Sequence, residues 1–289
     1  MSTSALAALA APRRRRHTLR WVTLASGAVL VVLTYFPIVF VLSNSLKSGA
    51  NISSNGVFAL FTQFDTQNYV QAWSGIDTSL LNTVIVAVAA IVIGVAAAVL
   101  GAYAFAQIQF RGKSVVFMAY IGLLMIPWTL TIIPLFLLMK TFGFYNGWWA
   151  LILPYAASAQ PLLVLLFRGF FEQIPDELLQ SARLDGAREW QVLLRVVAPL
   201  TRPIILTGAI LMTINVWGDY LWPEIVLQDY HKYTISAGLQ QFVNAQGISG
   251  TGTGAVFAAY LITMLPLFVL VGASMRYFVA GITDGALKL

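Results

Sequence analysis

The chain has 289 residues, of which 59% are hydrophobic and only 10% are charged, and its formal net charge is +6. Because a soluble domain carries roughly 25% charged residues, this composition excludes a soluble protein and indicates an integral membrane protein. The absence of cysteine excludes disulfides and thiol chemistry, and the two histidines lie apart in a basic tail and a polar loop, so we expect neither a metal site nor a catalytic site.

The first 20 residues are basic and do not read as a cleaved signal. The apolar run that follows them, at 21–44, is longer than the roughly 7–15 residues of a signal-peptide core. No small-residue cleavage site stands out after it. We therefore predict a disordered basic cytoplasmic tail at 1–20, followed by an anchoring helix.

Six segments are long and apolar enough to cross a bilayer, which requires about 20 mostly apolar residues. Prolines lie in the third, fourth and fifth of them and are tolerated where neighbouring helices satisfy the freed carbonyl groups. The predicted fold class is all-α integral membrane, with one transmembrane domain at 21–289. The predicted spans are 21–44, 79–107, 114–139, 148–171, 201–226 and 255–278.

The basic residues are distributed unequally between the two sides of the membrane. If the N-terminus is cytoplasmic, 14 of the 17 Lys and Arg residues fall inside and only Lys47, Lys140 and Lys232 fall outside. This positive-inside bias predicts that both termini are cytoplasmic. Because the charges lie between apolar spans and orient the protein, they do not indicate nucleic-acid binding. The predicted outer loops are 45–78, 140–147 and 227–254.

The second span is rich in alanine and glycine, which let helices approach closely. Two interpretations stay open from the sequence. These residues either pack within the chain or form a seam against a partner subunit.

The polar segment at 174–198, between the fourth and fifth spans, is predicted to fold as two short helices joined by a sharp turn, and we call it the elbow. Pro175 is typical of the first helical turn, and Gly186 is suited to a left-handed C-terminal cap. A second helix is predicted from 187 to about 197, ended by Pro199.

Apolar stripes are predicted on both elbow helices, and on the second they comprise Trp190, Leu193, Leu194 and Val197. Two interpretations are open on this pattern alone. The elbow either lies on lipid headgroups as an amphipathic surface helix, or it presents a docking surface to a partner in the water phase.

The elbow resembles the EAA loop of the membrane subunits of ATP-driven, binding-protein-dependent importers. That pattern is Glu-Ala-Ala, two residues, Asp-Gly-Ala, and then an apolar stretch that ends in Pro. Gln180 and Ser181 replace the Glu and the first Ala, so a charge is lost, whereas the small side chains are retained. The residues that fall on the pattern are Gln180, Ser181, Ala182, Asp185, Gly186, Ala187 and Pro199.

Further segments resemble the carbohydrate-uptake branch of this family, and the likeness covers about 21–289. They are 82–86 at the start of the second span, 102–106 and 110–113 at its end, and 277–288 near the C-terminus. The resemblance implies a permease that forms half of a translocation pathway for a sugar or similar polyhydroxylated solute. It also implies a bacterial or archaeal plasma (inner) membrane location.

The resemblance also implies the partners and the coupling residues. A second permease subunit, two ATP-binding cassette subunits and an extracytoplasmic solute-binding protein would complete the importer within the membrane lipid. ATP and Mg would be used by the partner ATPase, and no cofactor is expected on this chain, which has no Gly-rich phosphate loop with Lys and Ser or Thr. The expected ATPase-coupling residues are Glu177, Gln180, Ser181, Ala182, Asp185, Gly186 and Ala187.

Polar residues at membrane depth are candidates for a solute path, because they cost free energy unless satisfied. Helical spacing predicts that Asn215, Asp219 and Trp222 share one face of the fifth span, where an amide, a carboxylate and an aromatic ring suit a sugar. The alternative places Asp219 and Trp222 in the outer interfacial belt. Asn82 is a further candidate, with a helix–helix hydrogen bond as its alternative.

Two other functions are alternatives to the importer. A secondary carrier would work without an ATPase, but the sequence shows no internal duplication of the kind on which many such carriers are built. A multi-span membrane enzyme would need titratable groups that converge at one depth, and only Asp219 and Glu224 are candidates.

Overall fold

The computed structural model describes residues 13–247 and 252–286, and regular structure in these ranges is helical throughout. This confirms the predicted all-α class. Short 3-10 turns at Leu123–Met125 and Tyr230–Lys232 flank the helices. The helices are α1 (Arg13–Ser45), α2 (Gly49–Asn55), α3 (Gln67–Gln107), α4 (Lys113–Gly122), α5 (Trp128–Thr141), α6 (Trp149–Ser158), α7 (Gln160–Phe171), α8 (Asp176–Leu184), α9 (Glu189–Leu200), α10 (Arg202–Gly218), α11 (Leu221–Val226), α12 (Ile235–Gln246) and α13 (Thr253–Ala286).

Within the described ranges, three helices are long and apolar enough to cross a membrane alone, through Thr23–Ser45 of α1, the whole of α3, and Thr253–Met275 of α13. Three bent helix pairs also pass the same test: α4 with α5, bent by 98°, α6 with α7, bent by 43°, and α9 with α10, bent by 82°. The described chain therefore has up to six candidate spans, in agreement with the predicted number.

Two helices begin before the predicted spans do, and the first of them contradicts the predicted disorder at 13–20. α1 begins at Arg13, so residues 13–20 of the predicted disordered tail are helical, whereas residues 1–12 lie outside the described residues. α3 begins at Gln67 rather than at 79 and has 41 residues. At 1.5 Å per residue it is about 61 Å long, roughly twice the hydrocarbon thickness of a bilayer. Its polar first turns were missed because they lack the composition of a span.

The third and fourth predicted spans are each interrupted. Pro127 disfavours helical geometry at the residue before it, and Ile126 is extended with φ −82° and ψ 114° between the Leu123–Met125 turn and α5. The fourth span bends at Ala159, beside Pro161 at the start of α7. There the Gln160 side-chain amide donates to the carbonyl oxygens of Gly94 (2.9 Å) and Ala156 (2.7 Å), which ties the bend to α3.

The fifth predicted span, 201–226, is not one helix, so this prediction was wrong in its second half. α10 ends at Gly218, and Asp219 is extended with φ −79° and ψ 119°. The Asp219 carboxylate Oδ1 accepts from the backbone N–H groups of Leu221 (3.0 Å) and Trp222 (3.3 Å). Such a bond satisfies the free donors at a helix N-terminus, so a new helix begins here.

α3 is the central helix and packs against α6, α7, α10, α12 and α13. A Cβ at Gly94 would lie 2.6 Å from Met212 Cε and 3.4 Å from the Cα of Ala156, so the approach of α3 to its neighbours requires the missing side chain. This face packs within the chain, whereas Ala96 and Ala97 point outward. The small buried residues of the face are Ala87, Ala90, Gly94, Ala98 and Ala102.

Candidate functional site

The first elbow helix begins and ends as the sequence predicts. α8 starts directly after Pro175, and two acidic residues occupy its first turn, where they complement the helix dipole. At its end Gly186 has φ +84°. The Ala187 N–H donates to Ala182 O and the Gly186 N–H donates to Arg183 O, both at 3.0 Å. This pair of bonds is the Schellman cap, which requires the left-handed residue that glycine supplies.

The elbow turns a polar surface and several apolar side chains away from the rest of the chain. The Leu179 side chain of α8 is fully buried in the core, and Ala182 and Ala187 are partly buried. The other predicted coupling residues, Glu177, Gln180, Ser181, Asp185 and Gly186, are exposed.

The predicted apolar stripe of the second elbow helix is divided between two faces. Leu193 and Val197 are buried, whereas Trp190 and Leu194 are 54% and 59% exposed. The physical reason is the π-helical turn at Leu193–Val197, because its wider turn breaks the regular spacing that the sequence analysis assumed. On α8, Leu178 and Leu184 are likewise 49% and 88% exposed.

A polar contact joins the elbow to α3, in addition to the apolar packing of Leu179 and Val192 in the main hydrophobic core, and the sequence analysis did not identify it. Arg183 donates from Nε to Glu189 Oε1 (2.9 Å) and from Nη2 to Glu189 Oε2 (3.3 Å). The hydroxyl of Tyr103, a buried residue in the last turns of α3, also donates to Glu189 Oε2. We call these three residues the Glu189 junction.

The Glu189 junction is charged but exposed to water on one side. The Arg183 guanidinium, together with the Tyr103 hydroxyl, holds the pKa of Glu189 below its ordinary value, so the carboxylate stays charged where a free Glu would protonate. The Arg183 and Glu189 side chains are 37% and 52% exposed, and ion pairs of this kind contribute about 0.2–1 kcal/mol. The junction therefore adds little to the stability of the fold.

A second ion pair lies at the C-terminal end of α7 but does not include the elbow. Arg168 Nε donates to Glu172 Oε1 at 2.7 Å, four residues further along the chain. The Arg168 guanidinium also lies 3.8 Å from the centre of the Phe117 ring, a geometry in which cation and ring attract each other.

A cavity of about 590 Å³ lies where the interrupted helices meet. Its wall includes the 3-10 turn after α4, the bend between α6 and α7, and the C-terminal end of α10. All three interruptions therefore face one space, which is where backbone irregularity is tolerated at membrane depth. The lining residues are Leu124, Trp128, Tyr155, Ser158, Ala159, Leu162, Leu163, Leu211, Met212, Ile214, Asn215, Val216, Gly218 and Asp219.

Two of the four predicted solute-path residues line this cavity. Asn215 is exposed, and in the described part of the chain its side-chain amide has no hydrogen-bond partner. Asp219 is held in place, because its Oδ2 accepts from the Tyr155 hydroxyl at 2.9 Å while its Oδ1 caps α11. Tyr155 also lines the cavity and was missed because nothing in the sequence near Pro154 marks it as polar-facing.

The other two predicted solute-path residues lie away from the cavity. The prediction that Trp222 shares a face with Asn215 and Asp219 was wrong, because α10 ends before it. Trp222 is fully buried, and its Nε1 donates to Ala150 O at 2.8 Å. Asn82 is buried in the N-terminal half of α3, where its Nδ2 donates to the carbonyl oxygens of His231 (2.7 Å) and Tyr233 (3.0 Å).

Residues 13–247 and 252–286 contain no group of three or more His, Asp or Glu side chains placed to hold a metal ion. The chemistry that the site offers is therefore hydrogen bonding and aromatic contact in the cavity, and surface contact at the elbow.

Comparison with known proteins identifies the family to which the chain belongs. Residues 90–284 match the family described as "Binding-protein-dependent transport system inner membrane component". The chain is 32% identical to the probable ABC transporter permease protein YurM of Bacillus subtilis (strain 168), over 96% of this chain and 91% of YurM. It is 29% identical to the diacetylchitobiose uptake system permease protein NgcG of Streptomyces coelicolor, over 91% of this chain and 88% of NgcG.

The fold is also similar to a chain in the crystal structure of a bacterial ABC transporter involved in the import of the acidic polysaccharide alginate. The TM-score is 0.83 at 24% identity, with 92% of this chain and 98% of that chain covered. The resemblance inferred from the elbow residues is thus confirmed. The chain belongs to the family of binding-protein-dependent transport system inner membrane components, as a multi-pass permease whose role is transport.

Proposed function

We propose that this chain forms half of the translocation pathway of an ATP-driven importer for a carbohydrate or similar polyhydroxylated solute. The observation that carries the proposal is the convergence of three interrupted helices on one cavity that holds an unpartnered amide and a fixed carboxylate. NgcG, a relative along most of its length, is named for the uptake of diacetylchitobiose. An integral membrane chain of this family needs such a polar path, since a sugar cannot cross hydrocarbon unaided.

The cavity supports a sugar as the solute by its size and chemistry. Its volume of about 590 Å³ lies within the range of roughly 300–1,000 Å³ that small-molecule sites occupy. The Asn215 amide can donate to and accept from hydroxyl groups, and Asp219 can accept from them. The Trp128 ring, which also lines the wall, offers an apolar face against which a sugar ring can pack.

The elbow supports coupling to two ATP-binding cassette subunits. These subunits would use the ATP and Mg, because this chain carries no phosphate-binding loop. The elbow helices expose four large apolar side chains, Leu178, Leu184, Trp190 and Leu194, which the surface of a partner would cover. The polar coupling residues Glu177, Gln180, Ser181 and Asp185 are exposed on the same elbow. A surface cleft of each ATPase would receive one elbow, and closure of the ATPase subunits would move it.

The orientation follows from this docking. An elbow that receives ATPase subunits lies in the cytoplasm, so the N- and C-termini are cytoplasmic as well, and the outer segments at 45–78 and 227–254 face the extracytoplasmic solute-binding protein. The excess of Lys and Arg on the elbow side supports the same orientation. The membrane would be the plasma (inner) membrane of a bacterium or archaeon, and a second permease would close the open side of the cavity.

The experiment is reconstitution of the complete importer in proteoliposomes, with a panel of di- and oligosaccharides offered outside and ATP inside. We expect uptake of one class of saccharide that requires ATP, both ATPase subunits and the binding protein. Uptake by this chain alone under an ion gradient would instead support a secondary carrier and contradict the proposal.

Docking of the elbow can be tested by cross-linking, because the chain has no native cysteine. A cysteine at Leu184, which is 88% exposed on the elbow, is expected to cross-link to the ATPase subunits. The matched control is Phe64→Cys, which is 79% exposed in the predicted outer loop and is expected to give no such product. Cross-linking of the ATPase to position 64 and not to 184 would reverse the proposed orientation.

A further inference from the structure

The covalent path from the elbow into the membrane passes through two irregular points. Between α8 and α10 the chain passes through the π-helical turn Leu193–Val197. It then bends by 82° where α9 meets α10 at Thr201. Such wide turns often lie at functional sites, and sharp bends interrupt the regular helix. α8 and α10 therefore do not belong to one continuous helix, and a displacement of α8 along the chain reaches α10 only through these two points.

The Glu189 junction offers a direct connection to a different helix. Its carboxylate is bound at once by Arg183 of α8, through two hydrogen bonds of 2.9 and 3.3 Å, and by the hydroxyl of Tyr103 of α3. Tyr103 is only 4% exposed and belongs to the main hydrophobic core. A movement of the elbow therefore acts on a side chain that is fixed in α3.

α3 carries that movement without interruption to the opposite end of the molecule, because it is one helix of 41 residues. Near its outer end the Thr83 hydroxyl accepts from the Ile235 N–H at 2.6 Å, and the Gln71 amide donates to Gln246 Oε1 at 3.0 Å. The same helix therefore contacts the elbow at one end and the segment that contains α12 at the other.

The acidic side chain through which the elbow contacts α3 is that of Glu189. It does not lie at position 180, where the family pattern has Glu. Gln180 occupies that position, it is exposed, and within the described residues its side chain makes no hydrogen bond. The charged contact of this elbow with the membrane domain thus comes from the start of α9.

We propose that Glu189 is a positioning residue for coupling, which through Arg183 and Tyr103 delivers elbow displacement to α3 in addition to α10. This inference rests on the proposed function, because it presupposes that ATPase subunits move the elbow. α3 then shifts together with the elbow and passes the movement to the outer segment at 230–246.

The test compares Tyr103→Phe, Glu189→Gln and the double variant in the reconstituted importer, with saccharide uptake and ATP hydrolysis measured on the same vesicles. We expect ATP hydrolysis to continue while the uptake per ATP falls about fivefold or more, the lower end of the usual coupling between sites. Because Glu189→Gln disturbs the Tyr103 contact as well as the Arg183 pair, the double variant is expected to fall no further than Glu189→Gln alone.

The matched control is Glu172→Gln, which breaks the exposed Arg168–Glu172 pair at the inner end of α7 and does not touch the elbow. We expect its uptake per ATP to equal that of the parent. An unchanged uptake per ATP in both Tyr103→Phe and Glu189→Gln would overturn the proposal. Loss of complex assembly in both variants would overturn it as well, because the Glu189 junction would then be required for folding.

A reversible covalent linker tests whether the connection between positions 103 and 189 itself maintains the uptake per ATP. A merely structural role of these residues would leave the uptake per ATP unchanged by the linker. Cysteines at 103 and 189 are joined by a short bis-methanethiosulfonate linker, which replaces the broken contact by a covalent one. Coupling is expected to return on linking and to disappear on reduction. Failure of the proposed function is separately visible, because the parent importer would then show no ATP-dependent uptake at all.

Discussion

Two regions of α3 are held by different kinds of contact. Near Asn82, buried side chains bond backbone groups: Asn82 donates to two carbonyl oxygens, and the Thr83 hydroxyl accepts from an N–H. Near the elbow, Tyr103 bonds the carboxylate of Glu189, a residue that is half exposed and shared with Arg183. Buried bonds are costly to break, whereas exposed charged ones exchange readily with water. Breaking the contacts of Asn82 is therefore expected to cost more stability than breaking the contact of Tyr103.

The largest expected effect comes from breaking the contacts of Asn82 with Asn82→Leu. The substitution leaves the buried carbonyl oxygen of Tyr233 and the partly buried one of His231 without their donor, and an unsatisfied buried group costs about 1–3 kcal/mol. We expect a loss of about 2–4 kcal/mol in the free energy of unfolding, measured by denaturation in detergent. Asn244→Leu, at an exposed position on α12, is the control and is expected to change it by about 0.5 kcal/mol or less.

This substitution also decides between the two interpretations of Asn82. If the variant has normal stability and altered saccharide selectivity, Asn82 lies on the solute path. Its hydrogen bonds would then stabilise α3 no more than the contact of Tyr103 does.

The next effect comes from the turn of the elbow. Gly186→Val forces a β-branched residue into φ +84°, which costs about 1–2 kcal/mol for a residue with a Cβ, and shifts α8 relative to α9. We expect ATP hydrolysis uncoupled from uptake while insertion into the membrane is retained. Gly169→Val is the control, since a Cβ at Gly169 has nothing within 4 Å and φ there is not positive. Normal transport by Gly186→Val would contradict the coupling role of the elbow.

A smaller effect is expected in the cavity. Asn215→Ala removes an amide that bonds no described residue, so the fold should be unaffected. Loss of one hydrogen bond to the solute, about 0.5–1.5 kcal/mol, raises the KM for saccharide uptake by about two- to tenfold. Unfolding of the variant is measured in parallel. An unchanged KM would remove Asn215 from the solute path.

The smallest effect is expected for the Arg168–Glu172 pair. Its two side chains are 23% and 43% exposed, and an i, i+4 pair of this kind contributes about 0.3–0.5 kcal/mol. Glu172→Gln is expected to lower the free energy of unfolding by that amount at low salt and by less at high salt. A loss several times larger would show that this exposed ion pair stabilises the fold more than expected. The assumed contrast between buried and exposed contacts of α3 would then be wrong.

The features that the sequence predicts correctly are those decided by neighbours along the chain. Pro175 and Gly186 define α8 because a helix start and a left-handed cap depend only on local backbone chemistry. The apolar composition of the spans likewise gives their number. The resemblance to the EAA loop needed no tertiary contact, because it lies within one segment.

The features that the sequence does not predict depend on contacts between distant residues. Tyr103 and Glu189 are 86 positions apart, and no local pattern brings them together. The end of α10 depends on Asp219, whose carboxylate is also bound by Tyr155, 64 positions away. Helical spacing alone therefore placed Trp222 beside Asn215, whereas the helix between them ends and Trp222 turns into the core.

The π-helical turn at Leu193–Val197 has a consequence for the rotational phase of the elbow. Each residue of an α-helix advances the chain by about 100°, so the one additional residue of a wide turn sets the azimuth of α8 about the axis that leads into α10. Deleting a single residue there would rotate α8, with its exposed Leu184, to another side of the axis of α10. The rotational position of the elbow relative to α10 thus depends on the number of residues in this turn, which a substitution keeps and a one-residue deletion changes.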